Sequence, residues 1–175
     1  MKNSFFNAKN IVIISLMLAL ATVLDMFSTI YISPSLKLIS FSYLPGIVIS
    51  ILHGPIMALI YGLLSDTLLY FVNSHGEYFY GYAISKMITF FVYALFLHKK
   101  PHKIWRILVA KILNKVIVVF GLNYVWSSML FGSIASTYFT KIRLVNNLIQ
   151  FPLHCFLIIL IDRYLKNSKF IKNRV

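Results

Sequence analysis

The sequence predicts an all-α integral membrane protein, a bundle of six transmembrane helices, on three observations. Hydrophobic residues make up 59% of the 175-residue chain and charged residues only 12%, about half of the quarter that soluble domains carry. The apolar residues gather into runs that approach the roughly 20 residues needed to cross a bilayer core of about 30 Å. The basic residues, which give a net charge of +13, lie mostly at the ends of those runs, as in membrane proteins whose basic loops face the cytoplasm.

The first helix is expected over Ile11 to Tyr31. Lys2 and Lys9 before an apolar run have the look of a secretory signal, but no small-residue cleavage site follows and the run outlasts an h-region, so it reads as a retained span. A second run, Tyr43 to His53, is too short to cross about 30 Å at about 1.5 Å per residue and must tilt, start earlier or end against its neighbours. His53-Gly54-Pro55 makes a tight turn into a third helix, Pro55 to Val72, and a fourth follows over Gly81 to Leu97. Lys99, Lys100, Lys103 and Arg106 fill the next loop. The fifth helix is placed at Ile107 to Trp126 and the sixth at Ile142 to Leu165, whose end at Arg163 opens a basic tail continued by Lys166, Lys169, Lys172 and Arg174. An even number of spans puts both termini and the Lys99 loop in the cytoplasm of a multi-pass plasma-membrane protein. The segments near Pro34, Gly76 and Ser133 then fall outside. Six spans leave no room for a soluble domain, so residues 1–175 are read as one transmembrane unit. Gly46, Gly54 and Gly62 recur every eighth residue, but Pro55 interrupts any continuous helical face and the spacing is read as coincidence.

Several function classes are excluded by composition. Nucleic-acid binding needs an exposed basic face with stacking aromatics, whereas the aromatics here are interleaved with Leu and Ile inside the spans. Cys155 has no partner for a disulfide, and thiolate metal ligation is not expected. Asp25, Asp66, Glu77 and Asp162 are the only acidic residues, too few for the two-metal sites of many phosphate-handling enzymes. Neither a GxxxxGK[ST] loop nor HExxH is present. The five histidines, with His98 and His102 in the basic loop, show no ligand spacing. No metal, cofactor or enzymatic activity is expected, and any ATP hydrolysis belongs to other subunits. A small membrane enzyme acting on lipid head groups is the alternative of a different class, against which the shortage of carboxylates counts. A purely structural scaffold fits poorly with ionisable residues inside spans.

Asp66 is the most informative of these ionisable residues. Ser65-Asp66 lies beyond the middle of the third span, where a charge is costly and normally faces a cavity or partner. It is either an acceptor for ligand N–H groups or half of an internal ion pair with a base such as Lys86 or Lys115. Lys86 and Arg143 fall near the outer face, where they either attract an entering anion or snorkel to the interface. Lys111 and Lys115 share one face of the fifth helix. Asn123 and Trp126 suit a flat heterocycle, although Trp is also an ordinary interfacial anchor. Ser15 and Ala19 form a small-xxx-small stripe that lets another helix, internal or from another subunit, approach closely.

A longer pattern joins these residues. Leu44-Pro45-Gly46 through Gly54-Pro55 to Gly62-Leu63-Leu64-Ser65-Asp66, then Gly76-Glu77-Tyr78-Phe79, then Gly121-Leu122-Asn123 with Trp126 and Gly132, and finally Arg143 resemble in order and spacing the substrate-binding S components of energy-coupling factor vitamin transporters. The likeness is greatest to the folate-specific members and covers most of the chain. It implies the six-helix S-component fold in membrane lipid. It further implies capture of vitamin from outside the cell, and association with a transmembrane coupling subunit and two ATPase subunits. The Ser15/Ala19 stripe then looks like the motif that docks on the coupling subunit. Under the same resemblance Asp66, beside Ser65, accepts the paired donors of a pterin and Asn123 complements it. Phe79, Tyr80 or Trp126 stack on the ring, while Lys86 and Arg143 favour the anionic glutamate tail. The chain departs from the folate-type pattern at Tyr124, where a small Thr is expected, and at Ser85-Lys86, where small or apolar residues are expected. An S component for another flat heterocyclic vitamin therefore stays open.

Overall fold

The computed structural model describes residues 7–28, 30–33, 36–72, 78–100 and 103–167, with the backbone alone at 28, in the 30–39 hairpin and at several positions after 134. Gly76-Glu77, His102 and the basic tail beyond Asn167 lie outside the described residues.

The first helix, α1 (Ala8–Ser28), gives way to a short antiparallel hairpin of β1 (Ile30–Ser33) and β2 (Leu36–Ile39), with Ile30 opposite Ile39 and Ser33 opposite Leu36. No strand was expected here, because Ile30-Tyr31-Ile32 reads equally as the end of an apolar helix. These are strand formers, and Pro34 in the sequence bars helical continuation. After the hairpin, Ser40 donates from its hydroxyl to Oδ1 of Asp25 (3.3 Å), which is buried on α1.

Three apolar helices follow. α2 (Leu44–His53) carries Pro45 in its first turn, where a missing N–H is harmless. Gly54 ends it at φ +83°, a conformation that side chains with a Cβ rarely tolerate, and α3 (Pro55–Val72) starts at once. The His98 ring closes over this turn, with Nδ1 2.9 Å from the Ile51 carbonyl oxygen. α4 (Tyr80–Leu97) runs back along α3, and these two form the most extensively packed pair in the bundle. Their backbones touch: a Cβ at Gly62 would lie 2.6 Å from Met87 Cα. A Cβ at Gly46 would collide with the Phe90 ring, again on α4. The eight-residue glycine spacing is therefore no repeat, yet two of its members admit the same neighbour.

The fifth and sixth helices are longer than expected. α5 (Ile104–Asn114) continues through a π-helical stretch, Lys115–Leu122, into α6 (Asn123–Asn167). α6 is interrupted only at Gly132, which has φ 81° and ψ 167°. In place of a loop between Trp126 and Ile142, a single glycine separates two rods, 104–131 and 133–167. The intervening Ser and Thr residues lower the hydropathy without breaking a helix. Lys111 Nζ donates to the Phe151 carbonyl (2.8 Å) and Lys115 Nζ to Asn147 Oδ1, tying the two rods together.

The core comprises two clusters. Ile14, Leu18, Ile49, Met57, Ala58, Tyr61, Phe90 and Ala94 join α1 to α4, and Tyr61 donates across to the Met17 carbonyl (3.1 Å). Ile47, Ile51, Tyr93, Leu97, Ile107, Ala110 and Ile158 join α2 and α4 to the last two rods. Since α4 contributes to both, it is the central staff of the bundle. Among the described residues, Ala8–Phe27, Pro55–Val72 and Tyr80–Leu97 are each long and apolar enough to cross a membrane unaided.

Gly62→Val should cost about 1–3 kcal/mol through forced separation of α3 and α4 and lower the melting temperature in detergent. Gly121→Ala, whose nearest neighbour would be 3.7 Å away, should melt like the parent. Equal melting of both variants would rule out the backbone contact.

Candidate functional site

At the end of the bundle away from the Lys99 turn, α3, α4 and the 104–131 rod bring most of the candidate residues together. On α3, Ser65 faces inward and donates to the Gly62 carbonyl (3.1 Å). Asp66 is one residue further round the helix. Its Oδ1 lies 3.6 Å from Lys86 Nζ, and the side chains of Lys86 and Asp66 are 22% and 20% exposed. The partner is thus Lys86 and not Lys115, which is engaged by Asn147. A separation of 3.6 Å joins the charges without the short contact of about 2.7–2.9 Å found in tight charge-assisted hydrogen bonds.

Next to Lys86, Ser85 is buried and accepts a hydrogen bond from Trp126 Nε1 (3.1 Å). This turns the indole inward against α4, so it is no simple interfacial anchor. The Trp126 ring meets Phe79 edge-on at 5.8 Å, and Phe79 meets Tyr82 at 5.9 Å. Gly81 makes the approach possible: a Cβ there would come within 2.7 Å of Trp126 Cδ2 and 2.9 Å of Phe79 Cδ1. Tyr82 and Ser127 add a hydroxyl contact at 3.4 Å. The Ser85-Lys86 dipeptide therefore links both halves of the site, holding Trp126 with one residue and Asp66 with the next.

Asn123 lies one helical turn before Trp126 and hence on the same side of the rod. Its Oδ1 is buried and accepts no hydrogen bond among the described residues, which is uncommon for a buried acceptor and makes it a candidate to receive a ligand donor. Tyr80 is not part of this cluster. It is 74% exposed and packs edge-on against Tyr78, which in turn contacts Tyr70 and reaches Thr67 Oγ1 (3.2 Å) through its hydroxyl. These tyrosines make an aromatic rim. The Arg143 backbone lies in α6, but its side chain is outside the described residues.

Ser15 and Ala19 are exposed on α1, among exposed Val12, Leu16, Leu20 and Val23, so among the described residues no helix covers the small-residue stripe. Among the described residues no three His, Cys, Asp or Glu side chains gather as metal ligands. A separate cleft of about 190 Å³, lined by Phe96, Lys100, Trp105 and Arg106, lies by the basic loop at the other end of α4.

Chemically, the cluster offers an aromatic wall, a carboxylate, an amide oxygen and an ammonium group within one end of the bundle. That set suits a flat heterocycle bearing N–H donors and an anionic substituent. Sequence reasoning missed Ser85 as a hydrogen-bond acceptor and Gly81 as the space for Trp126. A serine in an apolar helix usually bonds its own backbone, as Ser50 does to Gly46 (2.8 Å), so only the placement of the indole reveals its second role.

The model of the family described as "ECF transporter, substrate-specific component" matches residues 9–161. Two relatives are each named folate transporter FolT. That of Clostridium novyi (strain NT) is 31% identical over 120 residues, 69% of this chain and 69% of its own length. That of Leuconostoc mesenteroides subsp. mesenteroides is 26% identical over 153 residues, 84% of this chain and 80% of its own. Among solved structures, a crystal structure of FolT bound with folic acid superposes with a TM-score of 0.76 at 26% identity, covering 87% of this chain and 90% of that one.

Gly81→Ala should push the indole away from Ser85. In a Trp105→Phe background, where Trp126 is the only indole, its fluorescence maximum should shift to longer wavelength while the helical circular dichroism is kept. An unchanged emission spectrum would show that Gly81 does not position Trp126.

Proposed function

Because the chain belongs to the substrate-specific components of energy-coupling factor transporters, membrane transport subunits and not enzymes, we propose that it captures folate or a closely related pterin. The observation that carries this reading is the joint placement of Asp66 and Lys86 beside the Ser85–Trp126–Phe79 wall. The naming of both relatives and the ligand of the similar crystal structure support it.

In this reading the 2-amino group and neighbouring ring N–H of the pterin donate in parallel to the Asp66 carboxylate. Ser65 fixes the turn of α3 from which Asp66 projects. Asn123 Oδ1, which has no partner among the described residues, accepts a further donor, Phe79 and Trp126 flank the ring, and Tyr80 stands at the rim. Lys86 and Arg143 favour the carboxylates of the glutamate tail over neutral vitamins. The basic loop and both termini lie in the cytoplasm of the plasma membrane, which turns the site outward. The uncovered Ser15/Ala19 face of α1 docks on a transmembrane coupling subunit, which is driven by two ATPase subunits.

Calorimetric titration of the detergent-purified chain with folic acid should saturate, with riboflavin and biotin as silent controls. Asp66→Asn should weaken folate by about 1–3 kcal/mol. Unchanged affinity would remove Asp66 from the site, and binding of a control in place of folate would move the substrate to another heterocycle. Ser15→Leu with Ala19→Leu should leave the titration intact yet abolish co-purification with the coupling subunit. Retained co-purification would assign docking to a different face.

A further inference from the structure

At the end of the bundle opposite the candidate site, the last turn of α4 and the first turn of α5 border the cleft of about 190 Å³ lined by Phe96, Lys100, Trp105 and Arg106. Its walls are fixed by the core, because Leu97 and Ile107, next in sequence to Phe96 and Arg106, are buried in the second hydrophobic cluster. Lys99 turns the chain out of α4 at φ 50°, a left-handed conformation uncommon for a residue with a Cβ. Lys100 follows it and is exposed.

The charges here run against the preference of the helix they sit on. A helix N-terminus carries partial positive charge and favours anions. α5 begins with no acidic residue in its first turn, and Lys103 precedes it without a side-chain cap. Arg106 adds a full positive charge to the same turn. Its Nη1 is buried and finds no acceptor among the described residues, although a buried charged donor normally holds one. Two cationic side chains, a helix N-terminus and an idle guanidinium donor thus surround one small volume that suits an anion.

The surroundings select the carrier of that anion. α4 is long and apolar enough to cross a membrane, so its end marks the level at which hydrocarbon gives way to head groups. Ile104 and Trp105 are more than half exposed there. An amphipathic indole is favoured at this level, and basic pockets between spans bind lipid head groups. The cleft is smaller than the roughly 300–1,000 Å³ of sites that enclose a whole ligand. It admits a phosphate with its glycerol, while the acyl chains stay outside against the apolar helices. A zwitterionic head group would bring its own cation toward Lys100 and Arg106.

We propose that this cleft is a binding site for the head group of an anionic phospholipid, its phosphate held by Arg106 and Lys100 and its glycerol set against Phe96 and Trp105. Nothing in this site depends on the ligand captured at the other end of the bundle.

Native mass spectrometry of the detergent-purified full chain, titrated with dioleoyl phosphatidylglycerol or dioleoyl phosphatidylcholine, tests the assignment. Phosphatidylglycerol should stay bound at concentrations where phosphatidylcholine does not, and an equal concentration of glycerol 1-phosphate should not displace it. Arg106→Gln and Lys100→Gln should each weaken phosphatidylglycerol about fivefold or more. Lys9→Gln, which removes an equal charge from the exposed start of α1, should leave it bound as before. Equal retention of the two lipids would reduce the cleft to an apolar groove and overturn the proposal. An equal loss in Lys9→Gln would overturn it in favour of general surface attraction, and displacement by glycerol 1-phosphate in favour of a soluble phosphate. Unchanged lipid binding in both cleft variants also overturns it, and if either variant then loses the coupling subunit the cleft belongs to an acidic protein surface. Lys100 is exposed, so Lys100→Gln keeps the test decisive if Arg106→Gln does not fold.

Discussion

The main chains of α3 and α4 meet at Gly62 and Met87, and the candidate site hangs from that meeting. Close approach of two helices brings short side chains and charged tips on adjacent turns within reach of each other. Here it sets Asp66 opposite Lys86 and orients the other side of α4 toward the fifth rod. The same α4 turn then receives the Trp126 indole on Ser85. One crowded crossing thus organises a carboxylate, a cation and an aromatic wall without any long loop. Further along α4, Gly46 of α2 repeats the device by admitting Phe90, so α4 is wedged from two sides and cannot easily rotate.

The legible part of the fold was the part bounded by strong breakers. Gly54-Pro55 and Gly81 mark where α2, α3 and α4 begin or end, and the expected spans there agree with the structure within a residue or so. Where the chain holds only one weak breaker, hydropathy misled. The stretch around Ser133 to Thr140 lost its apolar character but not its helical bonding, and α6 continues through it. The Ile30–Ile39 hairpin was hidden because β-branched residues after a long apolar helix look like more of that helix. Of the site, the opposed charges of Asp66 and Lys86 were readable as possible partners. The Trp126–Ser85 bond was not, because a contact between neutral groups leaves no complementary pattern in a sequence. The exposed placement of Tyr80, beside Phe79 in sequence but outward in space, was equally invisible.

The Lys111 and Lys115 contacts show a second use of cations inside the bundle. Neither meets a carboxylate among the described residues. Each donates to a neutral oxygen on α6, the Phe151 carbonyl or the Asn147 amide, and Lys111 also lies over the Phe151 ring at 4.6 Å. They cross-link two rods that share only Gly132 as a joint. The chain therefore uses the lysines within its bundle in two ways, as clamps in the fifth helix and as a counter-ion in the fourth.

The hairpin between α1 and α2 carries a consequence for how deep the protein sits. A two-stranded ribbon has an unpaired edge on each side, and hydrocarbon offers no partner for those N–H and carbonyl groups. The ribbon is therefore confined to the hydrated headgroup layer and acts as a depth gauge. With α1 ending at Ser28, such a ribbon would set the boundary between oil and water near Asp25. A membrane of unsuitable thickness would have to deform around the bundle, since the ribbon cannot sink to meet it.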